Sequence, residues 1–331
     1  MNNDSKFSIF LKNNEKKVLL FFIIFLFIIL DFIFSLISNQ INLSFFCKNR
    51  FLDTVASKHS VFHHGFKKNA SGKGYGCEKV YTNSMGFKDK EIRQIEKNNN
   101  NKRILFIGDS FTEGVGLDYE YTFVGIIDEI YSKKNIDVLN AGRSSYSPII
   151  YWRKIKYLIE EENFQFDKLY VFLDVSDTFD ELRYKLDSKL SVVNVEEKNN
   201  EAEKDNKNLK ANVKKIIKKN FIISFYILNF FHDLLVNFKF DQKEWYIATN
   251  LPYEKWTVDK NLFDKYGSEG LHRMQENMDK LFNLSQQYEF ELTIAVYPRP
   301  TQVWEEDLDS IQVKFWENWT KNKNISLINY F

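Results

Sequence analysis

Cysteine is nearly absent: the 331 residues hold two, Cys47 and Cys77. No C-x-x-C pair exists, which excludes a zinc ribbon and a thioredoxin-type redox motif. The two can join only if they share an oxidising compartment. An excess of charge is missing too. With 46 basic and 45 acidic residues the formal net charge is +1, so no nucleic-acid partner is expected. Proline and glycine are scarce, at 4 and 12, so little punctuation marks the turns. The one long apolar run is followed by no small-residue A-x-A site, and an uncleaved anchor is expected in place of a cleaved signal peptide.

That run, Val18 to Ser38, reads "VLLFFIIFLFIILDFIFSLIS" and matches the ~20 residues that cross a bilayer core. Asp31 interrupts it. A central aspartate costs about 2.5–3.5 kcal/mol on an insertion scale, whereas each Leu, Ile, Phe or Val returns about 0.3–0.6. Eighteen such residues outweigh one aspartate, so the span survives. Asp31 is either a tolerated blemish or an intramembrane contact reached by water or a partner helix. Lys6, Lys12, Lys16 and Lys17 precede the run, and Lys48 and Arg50 lie well beyond it. The positive-inside rule then places the N-terminus in the cytoplasm and the rest outside. The expected organisation is a cytoplasmic segment 1–17, a single span 18–38 in the cell (inner) membrane, a lead-in 39–101 ending in "EKNNNNK", and an extracytoplasmic or periplasmic domain 102–331.

From Lys102 onward, short apolar runs alternate with helical spacing. Strands are expected at 104–107, 136–142, 168–177, 291–298 and 325–331, with helices at 122–131, 151–161 and 274–288. Strand–helix alternation implies an α/β fold: a three-layer, mostly parallel sheet whose site lies at the carboxyl ends of the strands. A charged insertion, 185–220, contains "EEKNNEAEKDNKN" and reads as solvated or disordered. The run after it, "FIISFYILNFFHDLL", is short for a span and reads as a core helix, a membrane-surface helix or a cap over the site.

Three strand ends carry residues suited to acyl chemistry. After the first comes Gly108-Asp109-Ser110, where the glycine permits a tight turn and the Ser110 N–H can face a developing oxyanion. "NAGRSSYSP" follows the second and brings the Gly142 N–H to the same edge, and "DVSDTFDE" follows the third. Other candidates are plainer. His59, His63 and His64 cluster without a supporting carboxylate or cysteine pattern and read as solvated loop residues. Asp174, Asp177, Asp180 and Glu181 read as a solvated acid patch, so no metal and no cofactor are expected. Trp316 and Trp319, at i and i+3, fit one buried helix face, although with Trp304 they could stack on a sugar.

These residues resemble the SGNH (GDSL-type) hydrolases, a flavodoxin-like α/β family. "FIGDSFTEGVG" is similar to the first block, with Ser110 as nucleophile; "NAGRSSYSP" is similar to the second, whose glycine, here Gly142, implies an oxyanion N–H. The third block usually reads G-x-N-D, and its place is taken by Asp174-Val175-Ser176-Asp177, leaving Ser176 as a shorter, rotating donor. "TNSMGFKDKEI" resembles the lead-in of membrane-anchored members. The resemblance implies an exported serine esterase or O-acyltransferase acting on an acyl ester or a surface polysaccharide.

The fourth element, D-x-x-H, supplies the base in that family. No histidine follows His272. Glu269-Gly270-Leu271-His272 has the right spacing but falls before the fourth strand, and His232 sits beside Asp233 in the apolar run. The expectation is therefore a C-terminally shortened enzyme, since a last strand at the last residue leaves an exposed edge. The alternative is a silent glycan-binding or assembly subunit that kept the fold and lost the base.

Overall fold

Near-continuous apolar runs, too short for helices, form parallel strands that are buried on both faces. The computed structural model describes residues 13–41, 54–75, 77–98, 101–195, 216–239 and 251–331. The chain divides into two units, 1–50 with 203–240, and 51–202 with 241–331.

In the larger unit the strands are β1 (Ala56–His59), β2 (His63–Phe66), β3 (Ser71–Lys73), β4 (Lys79–Thr82), β5 (Lys88–Asp89), β6 (Lys102–Ile107), β7 (Ile136–Asn140), β8 (Lys168–Leu173), β9 (Tyr184–Leu186), β10 (Val192–Asn194), β11 (Glu291–Val296) and β12 (Ser326–Asn329). Across both units the helices used below are α1 (Glu15–Ile41), α2 (Ser110–Glu113), α3 (Phe123–Ser132), α4 (Pro148–Glu160), α5 (Asp177–Arg183), α6 (Ile222–Lys239), α7 (Ser268–Gln287), α8 (Pro300–Trp304) and α9 (Ile311–Lys323). An eight-stranded sheet runs in the order β12-β11-β8-β6-β7-β5-β4-β3. Its first five strands are parallel, and β5, β4 and β3 join antiparallel. The α/β, mostly parallel architecture is thus present. From β6 the chain steps to β7 on one side and then to β8 on the other, so a crevice opens at the carboxyl end of β6.

One face of the sheet carries the main core. Leu105, Ile107, Val171 and Ile294 pack there with Ile150 and Ile155 of α4, Met274 and Met278 of α7 and Trp316 of α9. Trp316 and Trp319 are 0% and 4% exposed, so both belong to the core and not to a sugar platform. The opposite face holds Phe106, Val138 and Phe172 under Val124 of α3. Beside α3 it opens into an apolar cleft of about 700 Å³ that reaches Phe111 and Tyr297.

Two expectations change. The segment 39–101 is not merely a linker, because β3, β4 and β5 extend the main sheet beside β7. Strands of two to four residues are too short to show periodicity in sequence. The insertion expected from 185 begins as ordered structure, with β9 and β10 paired antiparallel. Its acidic run "EEKNNEAEKDNKN" lies outside the described residues.

In the smaller unit, α1 contains the one helix segment among the described residues that is long and apolar enough to cross a membrane: Glu15–Ser38, mean hydropathy 3.0. Cys77, in the larger unit, is disulfide-bonded; Cys47 lies outside the described residues.

Candidate active site

Loops from the carboxyl ends of β6, β7, β8 and β11 meet around Ser110. It opens α2, a single turn that follows β6 almost directly. Asp109 caps this turn, its Oδ1 accepting the Phe111 N–H at 2.9 Å. Its Oδ2 accepts the Ser110 hydroxyl at 3.0 Å. Tyr297, just past β11, donates its hydroxyl to Asp109 Oδ1 at 3.0 Å. Burial, and then the nearby Asp174 carboxylate, push Asp109 up to about 7 against the pull of the Phe111 N–H, Arg299 and Tyr297. A carboxyl that titrates near neutrality is suited to exchange a proton with a hydroxyl.

Carboxylate oxygens of Asp109, Asp174 and Asp177 lie within 4.8 Å of one another, and all three residues are buried. Like charges this close cannot all ionise. Burial, then Asp109 and Asp174, push Asp177 well above the usual carboxylate range; Tyr151 donates to its Oδ2 at 2.9 Å. Arg299 brings the counter-charge. Its Nη1 lies 3.2 Å from both Asp174 oxygens and 3.3 Å from Ser176 Oγ, and its Nε lies 2.7 Å from Glu254 Oε1. Burial opposes that charge, but Asp174 and Glu254 outweigh it and raise the Arg299 pKa.

The three carboxylates have the spacing a cation would need, yet most of their oxygens are already spent on protein donors. Within the trio only Asp177 Oδ1 lacks a partner. A proton-sharing cluster neutralised by Arg299 fits this donor set better than a cation cage. The solvated acid patch expected here is absent, because helix packing buries most of it. Glu181, 1% exposed, accepts the Ile149 N–H at 3.0 Å and so caps α4, while Asp180 pairs with Arg183.

Gly108 and Gly142 are required by space. A Cβ on Gly108 would lie 2.2 Å from Thr112 Oγ1, and one on Gly142 would lie 2.8 Å from the Thr112 side chain and 2.9 Å from the Glu113 nitrogen. The Gly142 N–H, expected as an oxyanion donor, is instead given to Asn140 Oδ1 at 3.0 Å, while Asn140 Nδ2 is fixed on Thr112 O. By contrast, the Ser110 N–H has no acceptor among the described residues. Glu113 ties the two loops: its carboxylate takes Arg143 Nη1 at 2.6 Å and the Ser144 N–H at 2.6 Å, all but Ser144 fully enclosed. Ser145 next to it holds a left-handed backbone, φ +62.

The histidines are occupied elsewhere. His64 Nε2 meets Ser144 O at 2.9 Å and His63 Nδ1 at its other nitrogen; His59 Nδ1 accepts the Val61 N–H. These three lie in the β1–β2 hairpin, half-buried among Phe62, Tyr146 and Tyr184, not in a solvated loop. Burial lowers His59 to about 4 and His64 to about 3, which keeps both neutral. His232 pairs with Asp233, and His272 is exposed on α7 against Glu276. Arg299, Tyr297, Tyr151 and Glu113 were not singled out in sequence, for no local motif links them to Ser110. Glu113 alone carried a signal, sitting inside "GDSFTEG". A cleft of about 790 Å³ opens at the opposite edge around Arg103 and Asp167, away from this chemistry.

No protein-family model matches this chain, and no curated protein matches it. Among solved structures it is similar to AlinE4, an SGNH-hydrolase family esterase, at 12% identity over 70% of this chain and 77% of that one, with a TM-score of 0.35. It is similar also to the psychrotrophic esterase EstA from Pseudoalteromonas sp., solved with a monoethylphosphonate inhibitor, at 13% identity over 70% and 78%, TM-score 0.35.

Proposed function

We propose that this chain is a membrane-anchored serine ester hydrolase whose nucleophile is Ser110. One observation carries it: a serine at the carboxyl end of the central strand, at the switch point of the sheet, with its hydroxyl on a buried carboxylate. Ser110 Oγ attacks the ester carbonyl carbon and its proton passes to Asp109 Oδ2. The Tyr297 hydroxyl holds the other Asp109 oxygen. Collapse of the intermediate expels the alkoxide, which recovers that proton and leaves an acyl-Ser110. Water then gives hydrolysis, and a sugar hydroxyl would give transfer to a surface glycan.

The oxyanion meets the Ser110 N–H and the fixed charge of Arg299. Ser176 Oγ accepts from Arg299 Nη1 and keeps its own proton to donate as a third contact. Gly142 acts by packing and not by donating. The apolar cleft at Phe111 offers a surface for the acyl group. Export is supported by the lysines before the apolar run at Val18 and by the disulfide-bonded Cys77, a state that persists in oxidising compartments.

A second reading, a binding subunit without turnover, is favoured by the engagement of all five histidines away from Ser110. Hydrolysis of p-nitrophenyl esters by the full chain in detergent separates the two. The expected result is turnover that rises with pH through about 7 and falls by ~10³-fold or more in Ser110→Ala. No turnover by the unaltered chain contradicts the hydrolase and leaves the binding subunit.

A further inference from the structure

In α1 the pattern of burial is the reverse of a soluble helix. Its apolar side chains from Leu19 to Ile37 are mostly 39–63% exposed, whereas Asp31, Ser35 and Ser38 are 0%, 0% and 1% exposed. These three, at i, i+4 and i+7, form one polar stripe. The start of α6 meets Asp31 and Ser35. Ser35 Oγ accepts the Ile222 N–H at 2.8 Å, and Asp31 accepts the Ile223 and Ser224 N–H groups, one on each oxygen, both at 2.8 Å. The donor before these, Phe221, is bonded to Ile217 O at 2.8 Å, and from Phe225 the helix's own bonds begin, with Phe221 O at 2.9 Å. All four N–H groups that a helix start leaves orphaned are therefore satisfied, three of them by side chains of α1. Water would do this at no cost on a solvated surface; in hydrocarbon an internal acceptor is required.

Along α6 the apolar residues Ile223, Ile227, Phe230, Phe231 and Leu234 recur at i, i+4, i+7, i+8 and i+11, on one face. Ile227, Leu228, Phe230, Phe231, Leu234 and Leu235 are 40–62% exposed. Asn229, His232 and Asp233 fall on the other face, where His232 and Asp233 pair with each other. At ~1.5 Å per residue, Ser35 and Asp31 lie about 5 and 10 Å inside the end of the apolar run at Ser38. That is the depth, about 5–10 Å, to which an in-plane amphipathic helix sinks its apolar face.

We propose that α6 is a second membrane element: an amphipathic helix lying in the lipid leaflet on the side away from the N-terminus, docked by its first turn onto Asp31 and Ser35 of the spanning helix. The partner of its exposed apolar face is lipid acyl chain, continuous with the lipid around α1. This rests on α1 being a membrane span. Of the two readings of Asp31, the blemish falls and the intramembrane contact stands: it is the acceptor that lets a helix begin below the headgroups.

The test places benzoylphenylalanine singly at Phe27, Phe230 or Asn229 of the full chain in its membrane, irradiates, and counts lipid adducts by mass. Adducts at Phe27 and Phe230 with few at Asn229 are expected. Adducts at Phe27 alone overturn the proposal and leave the anchor standing; none at either position overturns the anchor itself. Equal adducts at Asn229 and Phe230 overturn the in-plane orientation. Asp31→Leu supplies the second arm, because it makes α1 more apolar and cannot weaken its insertion. Lipid adducts at Phe230 should fall about fivefold, the shift expected on losing a helix cap, with Phe27 unchanged. An unchanged yield at Phe230 rules out docking through Asp31.

Discussion

Asp109 does two things with one carboxyl: it caps the turn that presents Ser110, and it accepts the Ser110 hydroxyl. Asp109→Asn keeps the cap and removes the base, so kcat is expected to drop by about 10²–10⁴ with KM little changed, and the rise in rate through pH 7 should vanish. A steady-state pH profile of the two proteins checks this. Ser110 and its strand–turn setting were legible in sequence because they are local, four apolar residues and a G-D-S. The partners of Asp109 were not: Tyr297 lies 188 positions away and Arg299 lies 125 from Asp174, distances that only folding closes. Gly142 shows the limit of motif reading, since the residue is needed there, but to let the β7 loop pack against α2.

Single elements are held in register by a few buried contacts, and these set the next expectations. The Glu113–Arg143 pair joins α2 to the loop after β7, with side chains 0% and 2% exposed. Glu113→Gln would remove the carboxylate that pairs with a buried guanidinium, and thermal unfolding should reveal a loss of about 3–5 kcal/mol. Gly142→Ala forces a Cβ against Thr112 and the Glu113 nitrogen, costing about 1–3 kcal/mol. It should also lower kcat by displacing Ser110, a split that a distant destabilising change would not give. The five parallel strands and α3, α4 and α7 were legible from apolar runs and helical spacing, with ends shifted by a few residues. The three antiparallel strands added beyond β7 were not, because β5 has two residues and β3 three. Likewise, α6 was readable as an apolar helix, with a membrane-surface helix among its readings, but its docking was not, for its cap lies 187 to 193 positions earlier in the chain.

At the scale of the whole molecule, the buried acids leave a pH signature. A carboxyl whose folded pKa is raised binds its proton more tightly in the folded than in the unfolded chain, so its contribution to stability declines as pH climbs from its ordinary value to its folded one. For Asp109 that window runs from 3.8 to about 7. His59 and His64, lowered to about 4 and 3, act in the opposite direction below their ordinary value of 6.5. The difference between proteins isolates the acid: from pH 4 to pH 7, Asp109→Asn should gain stability relative to the unaltered chain, read as urea midpoints. Parallel midpoints would mean that Asp109 titrates normally.

The central claim is that Ser110 is a nucleophile, and covalent capture tests it most directly. The full chain in detergent is treated with a fluorophosphonate at pH 8, digested, and the modified peptide sequenced by mass. The account predicts a single phosphonyl adduct on Ser110, formed more slowly as pH falls below about 7 and absent from Asp109→Asn on the same timescale. An unmodified Ser110, with the intact fold verified by its unfolding transition, would contradict it.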